Sequence, residues 1–80
     1  MTEDIQKSIS ASLLRLQTKS PFFATLAMFA RFVPTEKLPT AATDGKDIFY
    51  NVEFLLSLPP KQLDGVLLHE VLHAALLHVP

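Results

Sequence analysis

A chain of 80 residues with 49% apolar and 19% charged side chains has the composition of one small domain that is expected to fold. Its formal net charge of −1, with 7 Lys and Arg scattered from Lys7 to Lys61, offers none of the basic clustering that a nucleic-acid footprint requires. The lack of cysteine leaves nitrogen and oxygen as the metal ligands available, the acidic N-terminus MTEDIQKSIS is unlike a secretory signal, and the longest apolar run, PFFATLAMFA, is too short to span a bilayer.

A cytoplasmic protein with no membrane and no nucleic-acid partner is therefore expected. So small a chain cannot bury all of its apolar residues. Some should stay exposed as a surface that seeks a partner, a second copy in a homo-oligomer, or a further part of the same protein.

The segment from Thr2 to Lys19 reads as a helix, because Ile5, Ile9, Leu13 and Leu16 recur at helical spacing. Thr2 suits the N-cap, and Glu3 and Asp4 suit the positive end of the helix dipole. Ser20 caps a second helix with Pro21 at its first position. The pattern FFATLAMFARFV predicts that this helix continues to Pro34, apolar on most sides and central to the core.

Asp44-Gly45 is a strong hairpin signal, and it predicts strands at about Leu38 to Thr43 and Lys46 to Tyr50, with Pro39 at a strand start or edge. NVEFLLSL forms a short helical turn. Pro60 then opens a last helix running to about His78, in which Gly65 costs up to about 1 kcal/mol relative to Ala. The expected architecture is α+β and mostly helical: two N-terminal helices, a β-hairpin and a C-terminal helix, in one domain over residues 1–80.

That last helix carries the chemistry. All three histidines lie in LLHEVLHAALLHVP, where His69 and His73 bracket Glu70. Four residues on a helix advance by about 40° of net rotation and about 6 Å of rise, so the two imidazoles share one face and can converge on one ion. Glu70 is turned about 100° from His69, beside the ion, where a general base for an activated water belongs. From Val66 to Leu77 these three are the only polar side chains. A helix apolar nearly all round reads as buried, and a buried imidazole pair and carboxylate need a partner such as zinc.

His78 lies about 140° beyond His73 and suits the C-terminal end of the helix dipole better than the metal. Among the carboxylates, Glu36, Asp44, Asp47, Glu53 and Asp64 have no ligand spacing that recommends them. Asp44 belongs to the turn, and Asp64 to the first turns of the helix. A third ligand is expected beyond Pro80.

The stretch TAATDGKDIFYNVEFLLSLPPKQLDGVLLHEVLHAALLH resembles the metallopeptidase domain at the N-terminus of bacterial VWA-like proteins, a zincin of gluzincin-like type. The similarity is carried by TDGK, FYN, EFLLSLPP and HEVLHAALLH. It implies that His69 and His73 are zinc ligands, that Glu70 is the catalytic base, and that the substrate is a peptide or protein. It further implies that Lys46 to Tyr50, with Ile48, Phe49 and Tyr50, form a substrate edge strand along the cleft. Family members continue into further helical sequence and a VWA-like domain, so this chain would be the N-terminal part of a longer, truncated zincin-like domain, weakly active or inactive alone. The alternative is a non-enzymatic interaction or self-assembly module that keeps the fold.

Overall fold

A computed structural model of the chain describes residues 2–77, with side chains from 4 to 76. The readings of Thr2 as a cap and of His78 as a C-terminal helix residue lie outside the described side chains. The element order is α1 (Thr2–Lys19), α2 (Pro21–Ala27), β1 (Arg31–Pro34), β2 (Ala41–Thr43), β3 (Asp47–Tyr50), α3 (Val52–Leu56) and α4 (Pro60–Leu77). The α+β class, the first helix, the hairpin, the short third helix and the long last helix all stand as expected, except that the first hairpin strand is only Ala41–Thr43, so Pro39 lies before it and not at its start.

The second helix does not. It ends at Ala27, where Phe29 N–H bonds Leu26 C=O and Ala30 N–H bonds Ala27 C=O, each at 3.2 Å, in tight turns that close it. The next residues, expected to be helical as far as Pro34, form β1. Val33 precedes proline, which biases it away from helix, and Phe32 and Val33 are good strand formers. Tertiary pairing decides the matter: β1 runs parallel to β3 with Arg31 opposite Asp47, and the Arg31 guanidinium grips the Asp47 carboxylate at 2.8 Å. Pro34 is tolerated because β1 lies at the sheet edge.

Nor is α2 central to the core. Phe23 is buried, but Phe22 is exposed, as are Met28 and Phe29 just past the helix end. The core gathers Ile5, Ile9 and Leu16 of α1, Phe23, Ile48 and Tyr50 of β3, Leu55, and Leu63, Leu67, Val71 and Ala74 of α4. These positions recur at helical spacing on α1 and α4, so each helix turns one stripe inward.

The sheet order is β1-β3-β2, with β2 antiparallel to β3. This corrects the expectation that Ile48, Phe49 and Tyr50 form a substrate edge: β3 is the middle strand, paired on both sides, with Ile48 and Tyr50 buried. Tyr50 belongs to the core, where burial raises the pKa of its phenol. The free edge on the hairpin side is β2. The hairpin turn needs its glycine, since Gly45 has φ 92°. Asp44 accepts from Lys46 N–H at 2.9 Å and Asp47 N–H at 2.8 Å, and these backbone bonds hold its carboxyl below the usual range.

Two polar anchors fix α4 and α3 in place. Asp64, on α4, accepts from the fully buried Ser12 hydroxyl at 2.5 Å and from Arg15 Nε and Nη2 at 2.9 and 2.7 Å, all from α1. The Arg15 bonds, joined by Ser12, hold the Asp64 carboxyl below its ordinary range against the opposing effect of burial. Asn51 caps α3 by accepting from Phe54 N–H at 3.0 Å, while its amide donates to Leu38 C=O at 2.9 Å. One side chain thus ties the approach to β2 to the start of α3.

Candidate metal centre and cleft

Five residues beyond the Asp64 anchor, α4 presents His69 and His73. Their ring centroids lie 4.1 Å apart with planes tilted by 40°. The helical spacing does bring the two imidazoles together, as two ligands to one ion require. Both rings are exposed. The expectation that α4 is buried all round therefore fails: Gln62, Gly65, His69, Leu72, His73 and Leu76 form an exposed stripe, while Leu63, Leu67, Val71 and Ala74 face inward. The argument for a metal from the cost of burying unpartnered imidazoles falls with it. What stands in its place is the convergence of the two rings.

Glu70 is half-buried and turned toward a cleft that His69 also borders, whereas His73 does not line it. The rotation expected of a base beside the ligands is thus present. Among the described residues, no group of three or more His, Asp or Glu is placed to hold a metal ion. The available carboxylates are otherwise engaged or distant: Asp64 with Ser12 and Arg15, Asp47 with Arg31, and Asp44 with its own turn. Glu36 and Glu53 line a separate hollow with Asn51 and Leu56. What the described residues offer a divalent metal is thus two imidazoles from one turn of helix, fewer than a closed site needs.

The cleft measures about 690 Å³ and runs between α4 and the edge strand β2. One wall is Gln62, Gly65, Val66, His69 and Glu70; the other is Thr40 and Ala41; Phe54 and Leu58 add apolar surface. Across the hairpin, Asn51 N–H bonds Thr40 C=O at 2.7 Å and Asp44 N–H bonds Asp47 C=O at 3.4 Å. In an antiparallel pair such residues alternate with ones whose amide and carbonyl face outward. Ala41 and Thr43 therefore turn theirs to the free edge, with Ala41 on the cleft wall. An extended peptide could add to the sheet there by main-chain hydrogen bonds.

Sequence reasoning placed His69, Glu70 and His73 together on one turn of helix, as they are, but assigned the sheet edge to the wrong strand of the hairpin, and it missed the cleft-lining Thr40, Ala41, Phe54, Leu58, Gln62 and Val66. One signal was legible. Gly65 stands four residues before His69, hence on the same face, in a helix that gains nothing from glycine.

Comparison with known proteins places the match over almost the whole chain. The family described as "Putative metallopeptidase domain" matches residues 4–80. An uncharacterized protein of Thermotoga maritima is 27% identical over 78 residues, covering 91% of this chain and 20% of its own length. The chain thus spans about a fifth of that relative. No solved structure matches. No helix among the described residues is long and apolar enough to cross a membrane.

Proposed function

Because the chain belongs to the putative metallopeptidase domain family, we propose that it forms the ligand-bearing part of a zinc-dependent peptidase centre, with His69 and His73 as ligands and Glu70 as the general base. The observation that carries this reading is the pair of imidazoles 4.1 Å apart beside a carboxylate that faces a peptide-sized cleft. A bound zinc would supply Lewis acidity toward the peptide carbonyl and the attacking water.

The chain's own residues do the rest. The β2 edge at Ala41 aligns an extended substrate beside α4 through main-chain hydrogen bonds. Glu70, on the cleft side of His69, takes the proton from the attacking water and passes it to the leaving amine. A third ligand has to come from outside the described residues, since none of them is placed to complete the pair. The exposed stripe of α4, with Leu72 and Leu76 flanking His73, is apolar enough to receive the segment that carries it.

The test is metal content and peptide hydrolysis in the wild type, His73→Ala and Glu70→Gln, each in this chain and in a longer form that includes the downstream sequence. Zinc bound in the wild type and in Glu70→Gln, lost in His73→Ala, with hydrolysis abolished by either change, supports the reading. Hydrolysis that survives Glu70→Gln, or zinc retained by His73→Ala, overturns it.

A further inference from the structure

Gly65 is an anomaly within α4. Glycine is among the poorest helix formers, and nothing in the backbone here asks for it: Gly45 is the glycine with positive φ, and a Cβ built on Gly65 meets no atom within 4 Å. Alanine would fit without strain. Local rules broken without an internal reason are expected at functional positions. The open space beside Gly65 is the cleft, one helical turn before His69, between Gln62 and Val66 and across from Thr40 and Ala41. Phe54, Leu58 and Val66 give that part of the cleft an apolar lining, each only half-buried.

We infer that Gly65 holds open a side-chain subsite, and that the substrate is a peptide carrying an aliphatic or aromatic residue at the position seated between Gly65, Val66, Phe54 and Leu58. The inference rests on the peptidase reading for its placement beside the scissile bond. The subsite itself depends only on the cleft and on the free β2 edge. In an extended chain alternate side chains point to opposite faces. A peptide hydrogen-bonded to Ala41 thus drops one side chain against α4 and turns the next away. Gly65 lets that side chain approach the helix more closely than any residue with a Cβ allows.

The test uses two probes, acetyl-Ala-Ala-Leu-Ala-Ala-amide and the same peptide with glycine in place of leucine, titrated into nitrogen-15-labelled protein and followed by NMR without added metal. The leucine peptide should bind at least about tenfold more tightly, the order of discrimination that a few methylenes give in an apolar pocket. The shifted amides should centre on Ala41, Gly65 and Val66. Gly65→Val should weaken the leucine peptide by about tenfold and leave the glycine peptide unchanged. Gly65→Ala, which keeps the helix intact, should weaken it by a smaller factor and serves if the valine variant fails to fold.

Equal affinity for the two peptides overturns the inference, as does undiminished leucine binding in Gly65→Ala, shifts centred elsewhere, or no binding at all. Turnover separates the two readings. Gly65-dependent binding without any hydrolysis, in this chain or a longer form, retires the peptidase and keeps the subsite. Hydrolysis that depends on zinc and Glu70 but not on the leucine side chain does the reverse.

Discussion

Removal of the Asp64 carboxylate offers the most direct test of how the helix that carries His69 and His73 is held. In Asp64→Ala, α4 loses its polar link to α1, and the fully buried Ser12 hydroxyl loses an acceptor at 2.5 Å. A hydrogen bond to a charged group contributes about 1.5–3 kcal/mol. The Arg15 arm adds little to this, because its side chain is 41% exposed and solvent screens the pair. The expected loss is therefore about 1.5–3 kcal/mol, which for a domain of this size lowers the thermal midpoint by roughly 6–24 °C.

The pH dependence has a definite sign. Arg15 and Ser12 depress the folded-state pKa of Asp64, so its contribution is fully present above the unfolded value of about 3.9 and is lost as pH falls through the folded value. Thermal unfolding followed by circular dichroism, on wild type and variant, should show the widest gap at pH 7 and a shrinking gap below about pH 4. Equal midpoints at pH 7, or a gap as wide at pH 2 as at pH 7, would refute the account of Asp64 as the α1–α4 anchor.

Gly65→Ala should stabilise the fold by up to about 1 kcal/mol, raising the thermal midpoint by a few degrees, since alanine removes the helix penalty and its Cβ meets only open space. Asn51→Ala should cost about 1–2 kcal/mol in urea unfolding, because it removes the α3 cap and the bond to Leu38 C=O together. His69→Ala and His73→Ala should each leave metal-free stability within about 0.5 kcal/mol of wild type, as both rings are exposed. The same two variants should lose the stabilisation that added zinc gives the wild type, read as the shift in thermal midpoint with and without the metal.

Much of the fold was legible in the chain because local signals and global packing agree there. The helical spacing of Ile5, Ile9 and Leu16 continues straight into the buried face of α1, and the Ser20-Pro21 start coincides with an observed cap. Asp44-Gly45 set the hairpin through a positive φ that glycine alone accepts readily. His69, Glu70 and His73 could be placed relative to one another because a single helix is a rigid ruler.

Relations between separate elements were not legible. FFATLAMFARFV reads as one helix until β3 arrives as a pairing partner for Arg31–Pro34, and no local pattern announces a parallel strand 16 residues away. The same arrival makes β3 central and leaves β2 as the edge, so the free edge of the hairpin is Ala41–Thr43 and not Ile48–Tyr50. Composition foretold exposed apolar surface, but tertiary packing chose Phe22, Met28, Phe29, Leu72 and Leu76 among those left to solvent.

The sequence by itself determined how His69, Glu70 and His73 stand relative to one another along α4, since their positions follow from residue spacing on one element. Only the tertiary structure decided that this face is open, that a cleft runs beside it, and that Gly65 stands at its wall. Those facts depend on which surfaces of other elements arrive, and that is governed by the burial of the whole chain at once.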